Sequence, residues 1–322
     1  MKKMLLERLF DAKDQPKPRF AFLGTVNWMR ALSLLADNNA AFKKEKIRTF
    51  YQRVQRRSKN VTADTVVLEN MLLAYHNHVA LKTIVDSVPA PYDTCRTAIV
   101  AWYYSIYYCC SAMVAATSGR SCETHAMTAK IWHNDIVKKS LVMAPFDMSL
   151  DGVVKKQTDL TIDNYRDGNA HKLVDRPETE EQAIGAAIGY LSGTADYEKW
   201  IVEERVKSSS KFKALGVNDF RKKAARELRD EALSKRQVNF LNQAFRYRGK
   251  ANYRDSIFLS YGDDNSKHVE TLCSDLLKVS KVFQKMTACY VSMRIERGLW
   301  GEYLLDVDSN KRLSGKIEYL KF

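Results

Sequence analysis

The chain has 322 residues and a formal net charge of +14, with 45% hydrophobic and 28% charged residues. That is enough apolar sequence for a large core in one long domain or two packed ones, and 13 glycines with 6 prolines exclude a collagen-like or linker-like chain. The cationic excess directs attention to polyanionic partners.

The first residues, MKKMLLERLFDAKDQ, carry charges and no long apolar segment with a small-residue cleavage site, so no secretory signal is expected and a cytoplasmic location is the reading. Helical periodicity then dominates, no alternating strand pattern intervenes, and the fold class expected is all-α. The spacing predicts helices over 26–57, 65–88, 93–118, 122–140, 179–207, 219–232, 235–261 and 265–298. Pro89 and Pro91 separate the second from the third, Gly119 is placed to cap the third, and Gly262 with Asp263 and Asp264 stops one helix and restarts the next. Residues 145–178 form the one long stretch without clear helical order, and long irregular segments are often functional. Ser208, Ser209 and Ser210 mark a hinge between the front half and the basic half.

Within the third helix, Thr97 to Ser118 reads TAIVAWYYSIYYCCSAMVAATS, without one charge. A helix apolar on every face must be enclosed by lipid or by protein. Its length permits a membrane span, but Tyr103, Tyr104, Tyr107 and Tyr108 would leave four hydroxyls near the bilayer centre. The expectation is the central helix of a helical core, with no membrane partner.

The six cysteines form no C-x-x-C pair and read as reduced core thiols. His76 and His78, two apart on a helix, point in different directions, so zinc ligation there is not expected. Gly185, Gly189 and Gly193 recur every fourth residue between acidic flanks, which suggests close helix packing in a core. There is no G-x-x-x-x-G-K-[ST] and no G-x-G-x-x-G, so no phosphate-cradling nucleotide site is supported and no cofactor or metal is expected.

Positive charge is concentrated. From Lys207 to Arg254, fourteen Lys and Arg face four acidic residues, which accounts for +10 of the +14. A second cluster comprises Lys43, Lys44, Lys46, Arg48, Arg53, Arg56, Arg57 and Lys59. Such fields attract polyanions, nucleic acid above all, and no acidic run neutralises them.

Three segments together resemble a known family. Helix 65–88, the tyrosine-rich stretch Ala101 to Tyr108 followed by Thr124 and His125, and Arg248, Ala251, Asn252 and Tyr253 look like the first helix, the A-Y-Y-x-x-[FY] helix with its following T-H, and the R-x-x-A-[DN]-Y helix start of HEPN domains. The resemblance covers residues 65–145 and 235–298 and implies a HEPN-like helical bundle with a long insertion and extra N-terminal helices. Its division would be an N-terminal helical extension over 1–60, the core over 61–145 and 216–300, an insertion over 146–215 and a C-terminal tail over 301–322.

The resemblance implies one of two roles. Many HEPN proteins are metal-independent ribonucleases acting as effectors of toxin-antitoxin or phage-defence systems; others are non-catalytic nucleic-acid-binding subunits of a nucleotidyltransferase or nuclease complex. It also implies RNA or other nucleic acid as ligand, an antitoxin or nucleotidyltransferase as protein partner, and a homodimer or larger complex. The ribonucleases carry Arg, a polar residue, then His four to six residues on. Histidine can move protons at the 2′-hydroxyl and leaving oxygen, and arginine can stabilise charge on phosphorus.

Two stretches have that form, Arg120 with His125 and Arg166 with His171. Arg166, Asp167 and His171 are the catalytic candidates, because Asp167 supplies the polar position and the segment lies in the irregular region. The chain departs from the family where Tyr253 stands in place of the histidine five residues after Arg248. Either the insertion has relocated the active residues, or the domain binds and does not cut. The nucleic-acid-binding candidates are Arg226, Arg229, Arg246, Arg248, Lys250, Tyr253 and Arg254, with Tyr253 suited to stacking on a base. A third reading is an assembly protein whose charge meets an acidic partner.

Overall fold

The structure, a computed structural model, describes residues 18–38, 40–87, 91–122, 124–252, 269–309 and 317–322. Its helices are α1 (Pro18–Asn38), α2 (Lys44–Tyr51), α3 (Val61–Ser87), α4 (Pro91–Ser118), α5 (His125–Trp132), α6 (Lys155–Arg166), α7 (Glu180–Ser208), α8 (Ser210–Lys213), α9 (Lys223–Ser234), α10 (Phe240–Asn252), α11 (Leu272–Arg294) and α12 (Leu299–Ser309). Among the described residues there is no strand, and an isolated antiparallel bridge joins Leu150 to Val238. The fold is all-α.

Helix α4 is the axis of this fold. Proline at its first position is pre-set for helical φ, and Gly119, at φ +71°, takes the left-handed cap that closes its end. Between these ends the helix packs on α3, α11, α10 and α5. It is the one described helix long and apolar enough to cross a membrane, yet 78% of its most apolar window is buried inside the protein. Several of its hydroxyls are met by protein: Ser105 by Ser280 at 2.8 Å, Thr117 by Tyr290 at 2.6 Å, and Tyr103 and Tyr104 by partners described below, whereas Thr94 Oγ1 is buried with no hydrogen-bond partner among the described residues. A buried polar chain continues from Ser280 to His78 Nδ1 at 2.9 Å, and Gln284 donates to both Ser105 and the Ala74 carbonyl at 2.8 Å. Burial lowers the His78 pKa to about 4, with Lys281 and Lys82 adding to the effect, so its imidazole is neutral within this network.

One aromatic cluster locks the long helices together. Trp28 of α1 stacks on Tyr190 of α7 at 4.1 Å and meets Trp102 of α4 at 6.0 Å and Tyr247 of α10 at 5.3 Å. The core so formed runs from Phe22 to Leu320 and includes residues of α1 and α2, so the N-terminal helices share it. Of the thiols, Cys95, Cys109, Cys110, Cys273 and Cys289 are buried, and burial pushes Cys109 and Cys289 up to about 12. They are inert packing groups.

Two expected elements differ. The single helix predicted over 26–57 is two, because α1 ends at Asn38 and the chain turns through a 3-10 turn at Ala40–Phe42 before α2. The segment expected to be irregular, 145–178, contains α6, whose one fully buried residue is Ile162. With so narrow an apolar stripe its periodicity was weak. Replacing Trp28 by alanine is expected to cost about 3–5 kcal/mol, against less than about 0.5 for Trp200→Ala at a position 57% exposed, measured by denaturant unfolding.

Candidate functional site

Two of the three segments that carry the family resemblance meet at one cluster. Tyr103 and Tyr104 project from α4, His125 opens α5, and Arg248 comes from α10. Thr124 sets the entry of α5 by accepting a hydrogen bond from Met127 N, which fixes His125 in the first turn. His125 Nδ1 then lies 2.8 Å from the Tyr103 hydroxyl, and Arg248 donates to the Tyr104 hydroxyl at 2.9 Å. The guanidinium lies over the rings of Tyr103, Phe245 and Tyr104 at 5.1, 5.2 and 5.7 Å. Tyr107 packs its ring 4.3 Å from that of His125.

The electrostatics follow from this packing. Arg248 is only 5% exposed, so its charge acts inside the cluster. Burial first, and the Arg248 charge second, pull His125 below the ordinary imidazole value of 6.5. Burial also raises the Tyr103 phenol, which remains protonated. The result is a neutral, half-buried imidazole whose Nδ1 is held by a phenol. Its Nε2 has no protein partner among the described residues. At the rim, Phe245 is 43% and Met127 55% exposed, and a small pocket opens beside Tyr107 between α3 and α4, lined by Asn70, Tyr108, Ser111, Ser121 and Cys122. Arg120, on the turn that precedes α5, is exposed.

Arg166, Asp167 and His171 do share one turn, but its chemistry is directed at the backbone. Asp167, at φ +42°, ends α6 in the left-handed region, and Gly168 follows at φ +82°. Arg166 donates to the carbonyls of Asn169 and His171 at 3.1 and 3.5 Å. His171 Nε2 lies 3.2 Å from the Asp175 carbonyl, which can only accept, so that nitrogen carries the proton. Asn169 bridges from the His171 amide to the Glu181 carbonyl at 3.0 and 2.7 Å. The turn is seated on the glycine stripe of α7: a Cβ on Gly185 would meet Asn169 Oδ1 and, at 2.7 Å, His171 Cβ, and one on Gly189 would meet Leu173 at 3.2 Å. The stripe therefore receives a loop, where helix packing had been expected.

The predicted basic face is divided. Arg246 donates to the Gly193 carbonyl at 2.8 Å and covers Tyr197 at 4.5 Å; Lys250 reaches Thr25 at 3.4 Å and Tyr190 at 5.9 Å; Arg248 is enclosed as described. These three cations join α10 to its neighbours and do not form an exposed face, because α10 packs on α4, α5 and α7. Arg229 pairs with Asp230 at 2.8 Å and Arg226 is exposed. Tyr253 and Arg254 lie outside the described residues. The sequence reading missed Phe245, although its position three before Arg248 puts the two on one helical face.

Searches of protein-family profiles, of curated proteins and of solved structures return no match to this chain.

Two outcomes are expected. In the folded protein the His125 ring titrates with a midpoint below 6.5, read from its carbon-bound proton shifts in NMR against pH. Gly185→Ala lowers stability by roughly 1–3 kcal/mol through overpacking against the turn, whereas Gly193→Ala, with nothing within 4 Å of the added methyl, loses none in thermal unfolding.

Proposed function

We propose that the protein is a HEPN-like ribonuclease that cuts RNA without metal, with His125 as the proton-transfer group and the exposed Arg120 as the phosphate contact. The observation that carries this reading is the convergence of Tyr103, Tyr104, His125 and Arg248, which come from the helices α4, α5 and α10, spread over some 145 residues of chain. A neutral imidazole can take the proton of a 2′-hydroxyl as that oxygen attacks phosphorus. The P–O5′ bond breaks, the products are a 2′,3′-cyclic phosphate and a 5′-hydroxyl, and the proton passes to the departing oxygen. Tyr103 orients the ring by its bond to Nδ1, and an exposed arginine five residues before the histidine can reach an anionic phosphate. Of the two Arg-x4-His stretches this one keeps its arginine in solvent, while Arg166 is occupied with carbonyl oxygens.

A second reading is favoured by one feature. Arg248 is enclosed by rings and held by Tyr104, out of reach of a phosphate, and tyrosine follows it where the family's nucleases carry histidine. On that basis the domain would bind RNA for a partner without cutting it.

Incubation of the purified chain with total RNA in EDTA separates the two. Cleavage with cyclic phosphate ends, lost by about 10²-fold or more in His125→Ala and kept in His171→Ala, supports the nuclease. Binding by the wild type with no cleavage supports the second reading, and loss of cleavage in His171→Ala alone restores the turn at Arg166 as the active site.

A further inference from the structure

We propose that α2 and the turn after it form a separate surface that grips the phosphate backbone of single-stranded RNA, a proposal that rests on the RNA reading above but not on which residues cut. Helix α2 is held to the core by Ile47 and Tyr51, one turn apart and both fully buried. The Tyr51 hydroxyl donates to the Leu141 carbonyl at 3.0 Å, and its ring packs 5.4 Å from that of Tyr290 on α11. This spends the apolar face of the helix. What remains outward is Lys43, Lys44, Lys46 and Arg48, followed by Arg53 on the turn, all exposed and none in an ion pair among the described residues.

The neighbouring cations show that these five are a distinct set. Arg56 donates to the carbonyls of Ser292 and Ile295 at the end of α11, Arg57 pairs with Asp64 and donates to the Ala116 carbonyl at 3.2 Å, and Lys59 pairs with Glu296 at 2.8 Å. Arg294 returns a hydrogen bond to the Gln55 carbonyl at 2.5 Å. Residues 55–59 are thus strapped to the bundle, and the strap fixes the backbone that displays the free cations. Between Lys43 and Lys59 the only acidic residue is Glu45. Lys44 and Arg48 stand one turn apart, ~6 Å along the axis, where like charges repel and weaken a helix. On α11, Lys285 donates to the Phe42 carbonyl at 2.8 Å beneath this surface, and its ammonium is disfavoured by burial and then by Lys281.

A rigid, uncompensated cationic helix whose apolar side is unavailable fits a flexible polyanion. It does not fit insertion into a membrane interface, which needs the apolar face that Ile47 and Tyr51 have used. Phe50, 40% exposed at the end of the helix, offers one ring to an unpaired base.

The test is fluorescence anisotropy of the full-length protein with a labelled single-stranded RNA across 50 to 200 mM salt, comparing wild type with the quadruple variant Lys43→Gln, Lys44→Gln, Lys46→Gln, Arg48→Gln, and with circular dichroism confirming equal folding. Four lost contacts should reduce the slope of log K against log salt by up to about 3, from ~0.7 per phosphate on single strands, with at least tenfold weaker binding at low salt. RNA binding by wild type with the quadruple variant indistinguishable from it overturns this surface and leaves the RNA reading standing. Absence of wild-type binding overturns both. Binding of wild type to phosphatidylserine vesicles, lost in the variant while RNA binding is kept, also overturns the proposal.

Discussion

The constraint on which this structure depends is that a helix whose run from Thr97 to Ser118 has no charge but many hydroxyls is buried, and those hydroxyls need partners there. Leaving a buried hydroxyl without a partner costs roughly 1–3 kcal/mol, so α4 can be buried only where its neighbours supply donors and acceptors at the right heights. Ser280 and Gln284 of α11 do this for Ser105, and Tyr290 does it for Thr117. On the opposite stretch the partners are His125 and Arg248. The candidate site is therefore the place where the core's demand for polar partners reaches the surface of the bundle.

Arg248 shows how strongly the core and the site are coupled. An enclosed guanidinium carries a large desolvation cost, which hydrogen bonding and contact with ring faces offset in part. Once there, it cannot lose its charge, so it opposes protonation of any neighbour. His125 is that neighbour, and its depressed pKa follows from the same burial and the same cation that complete the packing of α10 on α4. A neutral imidazole near physiological pH is the form that accepts a proton. Packing and proton affinity here are one arrangement.

Much of the fold was legible because it rests on continuous, local signals. The charge-free run from Thr97 to Ser118 and its capping Gly119 identify α4 without any tertiary information, and its enclosure follows from its tyrosines. Helix α6 was hidden, since a helix with Ile162 as its one fully buried residue has almost no apolar face to announce it. The break between α1 and α2 was hidden for a different reason: both flanks are helical in pattern, and Ala40 to Phe42 contains neither glycine nor proline to mark the turn. The site shows the sharpest contrast. Arg166 and His171 are near in sequence, and that nearness reflects a tight left-handed turn that consumes both side chains. His125 and Arg248 are far apart in sequence and close in space. The order of their motifs supported only the family resemblance; the sequence reading placed the catalytic candidates at Arg166, Asp167 and His171 and did not anticipate this meeting, since nothing in composition or spacing joins His125 to Arg248.

Where the charge sits bears on how a polyanion would be handled. Of the cations around His125, Arg248 is internal, while Arg120 before α5 and Lys130 on it are exposed. At physiological salt exposed charges act over about 8 Å, so capture cannot be delegated to a distant patch by field alone. It requires the strand to touch both places. Among the described residues, exposed lysines and arginines outside any ion pair cluster on α2 and on α8, α9 and the turn between them, where Lys211, Lys213, Lys222 and Arg226 lie, and others such as Lys130, Lys139 and Lys156 stand singly. On the proposed RNA reading, a molecule arranged in this way would hold the strand by dispersed, salt-sensitive contacts and confine proton transfer to the corner around His125, so that affinity and chemistry would be set by different residues.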